Sequence, residues 1–176
     1  MSKKLILLVF ALGLFACNQP KQPEVNTNVL YFDITGYFKQ EATRLRNLNP
    51  EIVKEVSVNG LMEQKRLKIS DWEKELAIFT NADINKASWK GSFKITKTPG
   101  TETYTSNNKR IPVKKVVIQK EDSKVKRLEI IITSKNILYS SGDSLFYYPD
   151  SLYKIIKHQK IKLLKPKTYT VTGTLK

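Results

Sequence analysis

The 176-residue chain has one cysteine, Cys17, and one histidine, His158. A single thiol excludes an internal disulfide framework, and one imidazole beside it cannot assemble a zinc site of the common Cys/His types within one copy. Seven glycines and seven prolines exclude a collagen-like or low-complexity chain. Acidic residues are scarce, 16 against 31 Lys and Arg. No hydrophobic run is long enough to span a membrane as a helix, which needs about 20 apolar residues; the longest is Leu5 to Ala16, broken by Gly13. There is no G-x-S-x-G elbow, phosphate loop, dinucleotide glycine pattern or EF-hand loop. No cofactor, no metal and no enzymatic activity are therefore expected.

What is present is enough apolar material, 40% of residues with 10% aromatic, for one sizeable core, and the length is short for two. The formal charge is +15. Such a surplus favours anionic partners: lipid headgroups, lipopolysaccharide phosphates or an acidic protein. Nucleic acid is not expected, because only Arg44, Arg46, Arg66, Arg110 and Arg127 offer the bidentate fork on which specific phosphate and base recognition leans. A Lys-rich solvated surface is the plain alternative.

The charge asymmetry is sharpest near the C-terminus. From Ser151 to Lys176 there is no Asp or Glu, while Lys154, Lys157, Lys160, Lys162, Lys165 and Lys167 crowd together as a candidate anion-facing patch. Strand alternation divides these cations between two faces.

At the other end, Lys3-Lys4 precede the apolar run and Cys17 closes it, the order of a secretory leader. Leu14-Phe15-Ala16-Cys17 resembles the lipobox of bacterial lipoprotein signals. The resemblance implies a cleaved signal peptide over residues 1–16, a diacylglycerol on the Cys17 thiol and an acylated new amino terminus. Asn18 after the cysteine implies an outer-membrane address, and the lack of an acidic cluster from Asn18 to Glu24 implies the periplasmic face. Each buried acyl CH₂ contributes about 0.8 kcal/mol, so more than one chain makes attachment stable. Residues 17–28, with Pro20, Pro23 and few apolar side chains, read as a flexible tether. Its eleven residues after Cys17 reach at most about 36 Å.

Residues 29–176 read as a single α+β domain. Ile34, Phe38, Leu45 and Leu48 fall near one face of a helix spanning 29–47, stopped by Asn49-Pro50. From Ile52 the period becomes two, and Asn59-Gly60 marks a hairpin. Ser70-Asp71-Trp72-Glu73 matches a capping box opening a second helix with Trp72, Leu76 and Phe79 on one side. From Trp89 onward short strands alternate with turns, Ser141-Gly142-Asp143 among them, giving an antiparallel β-meander with two main helices packed on it. Trp72, Leu76, Trp89, Phe93, Leu128, Ile130 and Ile132 are expected to share the core. The segments 70–76 and 148–153 are similar to those of uncharacterised small outer-membrane lipoproteins of Gram-negative bacteria, a resemblance that implies no catalytic residue.

Candidate chemistry is thin. A hydrolase triad would need His158 with Ser144 or Ser151 and Asp143 or Asp150, all in ordinary turn or strand contexts. Glu73 and Glu75 read as a helix start and Glu121-Asp122 as a turn. Tyr139, Phe146, Tyr147 and Tyr148 form a dense aromatic segment, suited to a core or to the wall of an apolar groove. The expected function is a lipid-anchored, non-enzymatic periplasmic binding or envelope-assembly module. The rival readings are a lipid or lipoprotein carrier with an apolar groove, and a cell-wall or ester hydrolase.

Overall fold

Asp33 opens the first helix of the structure, a computed structural model that describes residues 29–176. The leader, Cys17 and the tether lie outside the described residues. The Asp33 carboxylate accepts from the Gly36 amide at 2.8 Å and so satisfies one of the orphan donors of a helix start. Helix α1 then runs Ile34–Leu48, later than the sequence pattern suggests, because a capping residue must keep a non-helical backbone. It ends where Asn49 turns left-handed at φ 46° and donates its N–H to the Leu45 carbonyl. Ile34, Phe38, Ala42 and Leu45 are buried at helical spacing, whereas Leu48 in the last turn is exposed.

Strands β1 (Glu51–Val58) and β2 (Leu61–Lys68) follow, joined by Asn59-Gly60. Both turn residues have positive φ, 52° and 91°, which matches the twist of the flanking strands. The expected second helix is instead two single turns, α2 (Trp72–Glu75) and α3 (Ala77–Thr80), broken at Leu76. Its cap is Asp71 and not Ser70: the Asp71 carboxylate accepts from the Lys74 amide at 2.9 Å. Trp89 lies in a 3₁₀ turn, Ala87–Trp89, rather than in a strand.

The remaining strands are β3 (Lys94–Thr98), β4 (Thr101–Thr105), β5 (Val113–Glu121), β6 (Lys124–Lys135), β7 (Tyr139–Tyr148), β8 (Leu152–Ile161) and β9 (Lys167–Leu175). Ser141-Gly142-Asp143 sits inside β7, since the Ser141 hydroxyl and Lys157, 3.3 Å away, satisfy the Asp143 carboxylate within the sheet. All nine strands form one antiparallel sheet in the order β2-β1-β9-β8-β7-β6-β5-β4-β3. The first hairpin is therefore not continuous with the strands that follow it in sequence. It closes onto the last strand, with Ile52 opposite Leu175 and Val56 opposite Val171. The class is α+β with an antiparallel sheet, one long helix and two one-turn helices.

One sheet face meets the helices. Phe38 of α1 stacks on Phe79 of α3 at 4.8 Å between ring centres and meets Tyr147 of β7 edge-on at 5.0 Å. These rings fill the space between helices and sheet. Trp72, Leu76, Phe93, Leu128 and Ile130 are buried in the same core, with Trp89 and Ile132 half-buried at its margin. The opposite face is rich in threonine, as alternation along β4 and β9 requires of a surface turned to water.

Candidate ligand groove

Two carboxylates from the helical layer reach down to two tyrosines of the sheet. Tyr147 and Tyr153 are direct cross-strand neighbours on β7 and β8. The Tyr147 hydroxyl donates to Glu41 of α1 at 2.5 Å, and the Tyr153 hydroxyl donates to Glu75 of α2. Each carboxylate also has a cation. Arg44 grips Glu41 through two nitrogens, at 2.9 and 2.8 Å, and reaches Asp150 of the β7–β8 turn at 2.6 Å. Lys54 of β1 spans both oxygens of Glu75 at 2.6 and 2.9 Å. The bidentate Arg44–Glu41 pair lies within α1 and fixes the Glu41 carboxylate, while the bonds of Tyr147 to Glu41 and of Tyr153 and Lys54 to Glu75 pin helix to sheet. Burial, reinforced by these acceptors, pushes both phenols far above their ordinary range, and the hydrogen bonds that Arg44 donates to Glu41 raise its guanidinium further.

The ring cluster covers the middle of the sheet, and the helices leave the β2-β1-β9-β8 side less covered. There a cavity of about 590 Å³ opens beside Lys54 and Glu75. Its floor is one cross-strand row, Val56, Val171 and Ile155, and its walls include Leu67, Ile69 and Ile78. Lys54, Lys68 and Lys74 stand at its edge with Asp71 and Glu75, so the rim is cationic by one charge. An apolar floor under a polar, charged rim suits an amphiphile whose chain lies on the valines while its polar end stays in water.

The candidate lysines do not form one patch. Lys157 is on the helix-side face and pairs with Asp143, whereas Lys154 and Lys160 point from the other face of β8. Lys162 and Lys165 are in the exposed β8–β9 connection and Lys167 opens β9. Four of the six, Lys160, Lys162, Lys165 and Lys167, thus gather at one end of the sheet. Lys154 lies about 20 Å along β8 from Lys160, at ~3.3 Å per residue.

The formal hydrolase residues are engaged elsewhere. His158 Nδ1 lies 3.0 Å from the Thr168 hydroxyl, Asp143 holds Ser141 and Lys157, and Asp150 holds Arg44. Glu73 pairs with Arg46 at 3.5 Å and Glu121 with Lys126 at 3.1 Å. Among the described residues no group of three or more His, Cys, Asp or Glu is placed to hold a metal, and no helix is long and apolar enough to cross a membrane. The aromatic segment divides between faces: Tyr147 enters the core, while Phe146 and Tyr148 flank the Arg127 guanidinium, each 5.9 Å away.

Sequence reading missed the groove because its floor joins β1, β9 and β8, which no local pattern connects. Compared with protein families, with curated proteins and with solved structures, the chain finds no match.

Proposed function

We propose that this chain is a lipid-anchored, non-enzymatic binding module of the cell envelope, held through Cys17 at the periplasmic face of the outer membrane. In this reading the groove beside Glu75 takes the apolar part of an amphiphilic, anionic ligand. The observation that carries it is the row Val56, Val171 and Ile155, which forms an open apolar floor within reach of Lys54, Lys68 and Lys74. Anchoring is supported by the lipobox-like residues 14–17 and by a tether that keeps the domain within about 36 Å of the bilayer. Anionic lipid, lipopolysaccharide and an acidic protein segment all have the chemistry the rim would accept.

The carrier reading shares this groove and differs in requiring transfer of the bound lipid. The aromatic packing of Phe38, Phe79 and Tyr147 limits the room it would have under the helices. The hydrolase reading has no nucleophile and base in contact among the described residues to support it.

The test is titration with a fluorescent fatty acid. Saturable binding is expected, weakened at least about tenfold by Ile78→Asp, which sets a charge against the apolar floor. A probe that binds neither protein, or both equally, removes the groove from the proposal.

A further inference from the structure

The five most exposed large apolar side chains among the described residues are Leu163, Ile137, Leu61, Met62 and Leu138. They are scattered in sequence, yet the sheet order brings all of them to one end. The β1–β2, β8–β9 and β6–β7 connections are neighbours there, because β2-β1-β9-β8-β7-β6 are consecutive in the sheet. An aliphatic pair stands in or beside each connection: Leu163-Leu164 and Ile137-Leu138 within theirs, and Leu61-Met62 opening β2 directly after the Asn59-Gly60 turn, with exposures from 60% at Leu164 to 96% at Leu163. Hydrogen bonds stitch the three tips together. The Asn59 amide donates to the Thr168 carbonyl at 2.9 Å, and the Thr168 amide returns the bond to the Asn59 side chain at 2.9 Å. The Lys162 amide donates to the Leu138 carbonyl at 2.8 Å. The three connections are therefore tied into one rim rather than standing as independent loops.

The charge at this end is predominantly positive. Residues 57–62, 133–142 and 157–172 contain Lys135, Lys157, Lys160, Lys162, Lys165 and Lys167 and neither Asp nor Glu; the acids that border them are Asp143, which Lys157 neutralises, and the exposed Glu63. Just behind the tips, on the threonine-rich face, is a hollow of about 350 Å³ lined by Thr133, Ser140, His158, Lys160, Lys167 and Thr168. Gly142 opens it: it stands between Thr133 and His158 in one cross-strand row, and a side chain there would meet nothing within 4 Å.

We infer that this end of the sheet is a bilayer-docking surface, with the aliphatic tips entering the acyl region and the lysines and the Gly142 hollow receiving anionic phosphate headgroups. Apolar tips projecting beyond a collar of cations match the layering of a membrane, in which hydrocarbon lies below a belt of negative charge. The hydroxyls and His158 can donate to phosphate oxygens, and Lys160 supplies charge at the same depth. The inference takes from the envelope reading only the presence of a bilayer, and needs neither lipidation of Cys17 nor a ligand in the groove.

The experiment is co-sedimentation of residues 18–176, which keep every core residue and lack any acyl chain, with vesicles. Phosphatidylglycerol mixed with phosphatidylcholine is compared with phosphatidylcholine alone. Binding should require phosphatidylglycerol and weaken with salt. Leu163→Ser with Leu164→Ser should lower affinity at least about tenfold, and each of Lys160→Gln, Lys162→Gln and Lys165→Gln about fivefold. The tips are solvent-exposed, so an unchanged urea midpoint is expected for these variants and shows that they fold. Leu163→Trp should add an emission, over that of Trp72 and Trp89 in the parent, that shifts to the blue on anionic vesicles and is quenched by brominated acyl chains. No binding to anionic vesicles at low salt overturns the inference, and so does binding that ignores the tip substitutions. Self-association abolished by the same tip substitutions, without vesicle binding, assigns the rim to a second copy and equally overturns it. Because the protein tested carries no lipid, none of these outcomes depends on whether Cys17 is acylated, which mass spectrometry of the native protein decides separately.

Discussion

The ring of Tyr153 lies across Gly173, so close that a Cβ on that glycine would sit 2.2 Å from the ring carbons. The two residues are directly paired on β8 and β9. Only a residue without a side chain lets Tyr153 lie over β9 toward Glu75, itself held by Lys54 of β1. A glycine in a strand interior ordinarily costs stability, and here it makes the helix-to-sheet connection possible. Gly173→Ala is expected to destabilise the fold by about 1–3 kcal/mol, the usual cost of overpacking. In a Tyr153→Ala background the same change should cost markedly less. Equal urea-midpoint shifts in both backgrounds would contradict the contact.

Trp72 anchors the short helices to the sheet and is among the largest fully buried side chains. Trp72→Ala should destabilise by about 3–5 kcal/mol through lost burial and the cavity left behind. Chemical denaturation measures this, and an unchanged midpoint would remove Trp72 from the core.

Stability should decline at both extremes of pH, for separate reasons. Burial is the leading cause that raises the phenols of Tyr37, Tyr104, Tyr147 and Tyr153 above their ordinary 10.0. A raised folded value means the protonated form is favoured in the native state. Their contribution is fully present below about pH 10 and is lost as pH rises through the folded values. Of eight tyrosines, these four should resist ionisation in an absorbance titration and be released on unfolding. On the acid side, the hydrogen bond from Lys120 at 2.7 Å, then that from Tyr104 at 2.6 Å, holds the Glu102 carboxyl below its ordinary 4.5. Its contribution is present above that value and lost as pH falls through the depressed one. Glu102→Gln should therefore differ from the parent near neutrality and converge with it in acid. A constant difference across that range would refute the assignment.

Cys17 is the only thiol, so Cys17→Ser should abolish incorporation of labelled fatty acid and leave precursor or a differently cleaved chain. Mass spectrometry of the native protein reads the outcome directly. An unmodified Cys17 in the cleaved protein would remove the anchor while leaving the groove and the hairpin-tip surface to their own tests.

Much of the local architecture was legible. Asn59-Gly60 specifies a hairpin because both positions need positive φ, and the alternation of β6 specifies which of Leu128, Glu129 and Ile130 turn inward. Asp71 shows where such reading errs: Ser70 and Asp71 are both good caps, and the choice between them depends on where Trp72 must point to reach the core. Turn-forming composition at Ser141-Gly142-Asp143 was overridden in the same way, by cross-strand partners that satisfy Asp143 inside the sheet.

Leu61-Met62, Ile137-Leu138 and Leu163-Leu164 carried a signal that could have been read: apolar pairs in or directly beside turns, where polar residues are the rule. What no local pattern contains is that they belong together. By itself the sequence determined the hairpin turn at Asn59-Gly60, the strand periodicity and the basic charge, since these follow from backbone preferences and side-chain chemistry at neighbouring positions. Tertiary structure alone decided that β1 closes onto β9, that Glu41 and Glu75 meet Tyr147 and Tyr153, and that three hairpin tips share one rim. Those contacts join residues up to 123 positions apart, as Ile52 does with Leu175, and are chosen by burial and pairing summed over the whole chain.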